Sequence, residues 1–131
     1  MAFALYTHAD CTRHHPGQTH PESPARMAAI RKALEKADFY SQLSLCEAPK
    51  ADIALLEKMH SPGYVADILD SEPEAGYTAL DSDTLMSKGT VDAALRAAGS
   101  ICALTDDILE RRYKSGFCAV RPPGHHAEKE M

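Results

Sequence analysis

The chain has 131 residues, a formal net charge of −5, 44% hydrophobic and 25% charged residues, the balance of one ordinary globular domain and not of a disordered chain. Its acidic balance and scattered lysines and arginines leave no footprint for nucleic acid or an anionic membrane. No segment reaches the roughly 18 apolar residues of a membrane span, and Met1 to Leu5 lacks the basic flank and length of a signal peptide.

In chain order, Phe3-Ala4-Leu5-Tyr6 predicts a first strand and Leu43 to Glu47 a second. Gly116-Phe117-Cys118-Ala119-Val120 predicts a third, whose near-continuous apolar run suits a strand buried on both faces of a parallel sheet. Between the strands, Ser23-Pro24 reads as an N-cap followed by proline at the first helical position, with Met27, Ile30, Leu34 and Ala37 at helical spacing. Ser61-Pro62 repeats the device before Tyr64, Val65, Ile68 and Leu69, and a shorter helix is expected over Asp52 to Met59. The longest helix is expected from Ser87 or Thr90 to Arg112, with Arg111-Arg112-Tyr113-Lys114 as its solvated end. Thr7 to Glu22 and Ser71 to Ser87 read as long loops, the kind that often carry function. Strand, helix, strand, helices, strand is the rhythm of a single α/β domain over residues 1–131, with a small, mainly parallel sheet of about three strands flanked by helices. Cys11, Cys46, Cys102 and Cys118 form no C-x-x-C pair, so reduced thiols and a cytoplasmic location are expected.

Chemistry concentrates at Arg121-Pro122-Pro123-Gly124-His125-His126-Ala127-Glu128. Histidine is the side chain that most readily accepts and returns a proton near neutral pH. Two of them on a Pro-Gly turn after a strand fall at the carboxyl end of a parallel sheet, where open α/β folds bind ligands. Arg26 is unusual in a first helical turn, where the helix dipole disfavours a cation by about 0.3–1 kcal/mol; it is either an exposed arginine or one that faces a site. Asp83, in Asp81-Ser82-Asp83-Thr84, either caps its loop or accepts hydrogen bonds from a substrate backbone. His14, His15 and His20 are dense but match no zinc spacing, and they read as loop histidines.

These pieces together resemble the histone deacetylase family, which includes acetylpolyamine amidohydrolases and acetoin-utilisation proteins. The residues that carry the resemblance are His20-Pro21-Glu22-Ser23-Pro24-Ala25-Arg26, Met59-His60-Ser61-Pro62-Gly63-Tyr64-Val65, Asp81-Ser82-Asp83-Thr84, the Ala93-to-Gly99 helix with its Ala-Ala-Gly, and Gly116 to Glu128. They occur in family order, and the wording is closest to class II and bacterial members.

The resemblance implies an arginase-like α/β fold and a zinc-dependent amidohydrolase that removes acetyl groups from acetyl-lysine or acetylpolyamines. It implies that His126 is the general base and His125 its electrostatic neighbour, that Arg26 lines the internal channel, and that Asp83 is the rim aspartate that holds substrate. In the family the zinc ligands, an Asp-x-His pair and a later Asp, follow the His-His motif, and no Asp-x-His occurs in these 131 residues. The chain is therefore expected to correspond to the amino-terminal portion of a deacetylase domain, with no metal ligand and no cofactor of its own, and to be inactive alone. Alternatives are an oligomeric assembly module, or half of a complex completed by another chain. The family's third strand pairs with a later one, so a homo-oligomer that covers the Gly116–Val120 edge or adjacent helix faces is expected.

Overall fold

A computed structural model describes residues 3–131. Strand β1 (Phe3–Thr7) is central, with β2 (Leu43–Glu47) and β5 (Ser115–Cys118) parallel to it on either side. Leu5 stands opposite Leu45 on one neighbour and Phe117 on the other. Alternation sends the β1 side chains into two cores. Ala4 and Tyr6 pack with Ala48 and Leu104 on one face; Leu5 packs with Cys11, Met27 and Ala119 on the other. Leu104 belongs to α4 (Thr90–Leu109) and Met27 to α1 (Ala25–Glu35). The sheet is thus the middle of three layers, the α/β architecture expected from the sequence.

Beneath α4, the Tyr6 hydroxyl donates to Asp107 Oδ2 at 2.5 Å. Burial first, and then this carboxylate, push the Tyr6 phenol up; the hydroxyl in turn holds Asp107 low. Gly99, the glycine of Ala97-Ala98-Gly99, lets α4 touch the strand-to-helix segment after β2. A Cβ there would lie 2.0 Å from the Pro49 carbonyl oxygen.

Several local expectations need correction. Ser23 does not cap α1; Pro24 takes that place with no side-chain cap, and the Ser23 carbonyl accepts from the Arg26 N–H at 3.1 Å. Ser61, by contrast, caps α3 (Pro62–Asp70) through the Tyr64 N–H at 3.3 Å, with Pro62 in the first turn. The segment Ser71–Ser87 is not all loop, because β3 (Thr78–Asp81) and β4 (Thr84–Met86) form an antiparallel hairpin within it. The hairpin was hidden because its turn is built by a side chain: Asp81 accepts from the Asp83 N–H at 2.8 Å and from the Thr84 hydroxyl at 3.0 Å.

The short helix α2 covers Ile53–Leu56 within the expected Asp52–Met59. Helix α4 stops three residues before Arg112, because Arg111 turns left-handed at φ 60°. The Arg111 and Arg112 N–H groups then close on the Ile108 and Asp107 carbonyls, a Schellman ending usually left to glycine.

Strand β5 also departs from expectation. It leaves the ladder after Cys118, and Phe117 is 50% exposed, not buried on both faces. It is an edge strand with no neighbour on its outer side among the described residues, so one face of Phe117 lacks a covering layer. No helix among the described residues is long and apolar enough to cross a membrane.

Candidate active site

The loop after β1 and the loop after β5 both leave the carboxyl end of the sheet, and a buried ion pair ties them together. Arg121 is 1% exposed. Its guanidinium forks onto Glu22, with Nε to Oε1 at 2.7 Å and Nη2 to Oε2 at 2.9 Å, and Nη1 donates to the Cys11 carbonyl at 2.8 Å. Each of the three guanidinium nitrogens thereby donates to the loop of residues 7–22, which offsets a charge that would otherwise be costly to bury. The Arg121 hydrogen bond is the main reason the Glu22 carboxyl lies below the usual glutamate range.

Arg26 joins the same carboxylate, Nη1 to Glu22 Oε1 at 3.3 Å. Its side chain is about half-exposed and paired with Glu22. Asp83 sits at the hairpin turn, mostly exposed, with Oδ1 3.3 Å from His20 Nε2. The ring of His20 is set from its other side, since Nδ1 accepts from the Glu22 N–H at 3.1 Å. A neutral His20 must then carry its proton on Nε2, facing Asp83.

His125 and His126 lie on a turn closed by the Ala127 N–H to the Gly124 carbonyl at 3.0 Å. Their rings are 4.2 Å apart between centroids and tilted by 54°. Both are exposed, and neither has a side-chain hydrogen bond or ion pair among the described residues. His126 lies near enough to the hairpin that its charge is one of the influences holding the Asp81 carboxyl low, after the Asp83 N–H and the Thr84 hydroxyl. Arg26 thus contacts Glu22 and Asp83 contacts His20, while the His125 and His126 side chains touch neither pair.

The three loop histidines diverge. His14 is buried, with Nδ1 2.8 Å from Thr90 Oγ1. Burial first, and then the Arg121 charge, push its pKa down to about 4. The His15 N–H binds Ser87 Oγ at 2.9 Å, and His20 faces Asp83 as described. Among the described residues no group of three His, Cys, Asp or Glu side chains could hold a metal ion. The zinc that the family resemblance implies does not fit the residues present here. The His125 and His126 rings face no carboxylate that could complete a ligand set with them.

A largely apolar cleft of about 250 Å³ runs beside the cluster, between α3, the hairpin and α4, with His14, Tyr64, Met86, Pro122 and Pro123 in its wall. At its rim, His60 Nδ1 donates to the Glu128 carbonyl at 2.6 Å and the Ser61 N–H to the Lys129 carbonyl at 3.1 Å. The sequence motif around His60 and Ser61 therefore receives the segment that follows the His-His turn.

Sequence reasoning assigned no role to Glu22, Arg121 or His14. Arg121 did carry a signal, a cation directly after an apolar strand, but nothing local names a partner 99 residues away.

A model of the histone deacetylase domain matches residues 20–131. Histone deacetylase 15 of Arabidopsis thaliana is 37% identical over 111 residues, which are 84% of this chain and 20% of that protein. A probable deacetylase of Archaeoglobus fulgidus is 30% identical over 130 residues, 98% of this chain and 36% of that protein. The crystal structure of the HDA15 HD domain superposes with a TM-score of 0.89 at 27% identity, over 98% of this chain and 37% of that one. The chain thus spans less than half the length of each of these relatives. A domain match over most of the chain, close structural agreement and the joined Glu22 and Arg121 motifs lead to one conclusion: the chain belongs to the histone deacetylase family.

Proposed function

We propose that these residues form the amino-terminal part of a deacetylase-like site for acetyl-lysine or an acetylpolyamine, and that they do not hydrolyse such amides by themselves. The observation that carries this reading is the Arg121–Glu22 pair, which joins the segment leading to the His-His turn to the loop that runs into α1 and Arg26. In the complete site, His126 would take the proton of the attacking water, with His125 beside it. Arg26 would lie at the channel, and Asp83 would accept hydrogen bonds from the substrate backbone. Zinc would supply Lewis-acid polarisation of the acyl carbonyl in a completed site, but these residues offer it no ligand set.

The test is an assay of the purified 131-residue chain with acetyl-lysine peptide and acetylpolyamine, alone and with a separate chain carrying an Asp-x-His and a later Asp. No turnover is expected alone, and zinc-dependent turnover lost in His126→Ala is expected from the mixture. Turnover by the chain alone that disappears in His126→Ala would overturn the inactivity. Silence of the mixture would count against the site assignment.

One observation favours a second reading, an oligomeric assembly module. The outer edge of β5 is unpaired among the described residues, Phe117 on that strand is 50% exposed, and Leu109 at the end of α4 is 75% exposed. A second copy that paired along this edge would cover both the unpaired backbone and the apolar side chains.

A further inference from the structure

We propose that Glu22 is the positioning residue of this site: its carboxylate sets Arg26 and, through Arg121, the His125–His126 turn, while its backbone N–H sets the His20 ring that faces Asp83. The proposal rests on the deacetylase-like reading for what is positioned; the contacts stand by themselves.

Three separate atoms of Glu22 reach three parts of the cluster. Oε1 receives Arg121 Nε at 2.7 Å and Arg26 Nη1 at 3.3 Å, Oε2 receives Arg121 Nη2 at 2.9 Å, and the N–H reaches His20 Nδ1 at 3.1 Å. The carboxylate is shielded, with 13% of its side chain exposed against 1% for Arg121. A buried ion pair is a poor device for stability, because the loss of hydration offsets much of the attraction. What it supplies well is direction. A guanidinium fork meets a carboxylate in one plane, so the pair fixes the orientation of Arg121 and not merely its location.

That orientation is passed along a stiff route. Arg121 is followed by Pro122 and Pro123, whose rings fix φ, and then by the closed turn Gly124–Ala127 that bears both histidines. On the other side, Glu22 lies four residues before Arg26, so the start of α1 and the carboxylate move together. The Arg121 hydrogen bond, outweighing the opposite effect of burial, also keeps Glu22 ionised at neutral pH, so the hub does not loosen there. A simple structural pair would need only the Arg121 fork. The additional hold on Arg26 and on the His20 ring is what points to positioning.

The experiment uses the full chain with ¹⁵N-labelled histidine and follows the imidazole resonances at pH 7.5, with circular dichroism as the control for folding. Glu22→Gln keeps the backbone N–H that holds His20 but weakens the carboxylate's grip on Arg121; it is expected to stay folded, to displace the signals of His125 and His126 and to leave His20 in place. Arg121→Lys keeps the cation but loses the fork; it is expected to displace His125 and His126 and to leave His20 in place. Arg26→Ala is expected to move none of the three. Folded Glu22→Gln and Arg121→Lys proteins whose melting temperatures fall while the His125 and His126 signals stay fixed would overturn the proposal. If Glu22→Gln fails to fold, Glu22→Asp and Arg121→Lys are judged by the same criterion. No activity is read, so absence of deacetylase turnover would bear on the proposed function alone.

Discussion

His14 is the residue whose burial has the plainest consequence in solution. Its pKa, pushed from 6.5 to about 4, means that the folded chain resists a proton which the unfolded chain accepts. Stability from this group is fully present above pH 6.5 and is lost as pH falls from 6.5 toward 4; below that both states are protonated and the loss stops. The carboxylates work in a lower window. Glu22, Asp10 and Asp92 are held below their ordinary values, and each loses its contribution as pH falls through its lowered folded value. Thermal melts between pH 7 and 4.5 should therefore show a falling Tm. In His14→Gln, which can still hydrogen-bond Thr90 but does not titrate, the slope should be shallower. Equal slopes in the two proteins would mean that His14 is not protected as described.

Among the elements, α4 carries the most structural duty, and two of its features depend on distant chain. Its amino end has Gly89 at φ 99° as N-cap, with no side chain to offer. Glu72, from the segment after α3, reaches in instead, and its Oε1 accepts from the Gly89 and Val91 N–H groups at 3.0 and 2.8 Å. Such a carboxylate satisfies free amides and suits the positive end of the helix dipole. In mid-helix, Gly99 admits the backbone of residues 49–51, where the Ala51 N–H donates to the Leu95 carbonyl at 2.9 Å. Glycine inside a helix is ordinarily unfavourable, so alanine here would be expected to stabilise by propensity alone. The contact reverses the sign. Gly99→Ala should destabilise by about 1–3 kcal/mol, the usual cost of overpacking against a neighbour that cannot yield. A urea titration that finds Gly99→Ala neutral or stabilised would show that the Pro49–Ala51 segment moves freely.

For the molecule as a whole, the open question is what covers β5. The strand pairs with β1 on one side, and its other edge has no partner among the described residues. Ile101, Leu109 and Phe117 are large, apolar and more than half or about half exposed on α4 and β5. Self-association along this edge predicts a dimer or larger species by light scattering at micromolar concentration, with Phe117→Lys shifting it to monomer. Monomeric wild-type protein at that concentration would remove the second functional reading and leave the first untouched.

The amino-acid sequence by itself determined what depends on neighbours within a turn or a strand. The Leu43–Glu47 strand and the Ser61-Pro62 cap are legible because local spacing and capping chemistry decide them. Family membership is legible for a related reason, since His-Pro-Glu, Asp-Ser-Asp-Thr and Arg-Pro-Pro-Gly-His-His are contiguous words. Tertiary structure decided the rest. Glu22 and Arg121 stand 99 positions apart, and Glu72 caps a helix 17 residues further on. Ser23 looked like a cap and is not, while Phe117 looked buried and is half-exposed. The physical reason is common to these cases. Local propensities are read from the chain a few residues at a time, whereas the partner of a buried charge, or the layer that covers a strand, is supplied by whichever distant segment the fold brings alongside.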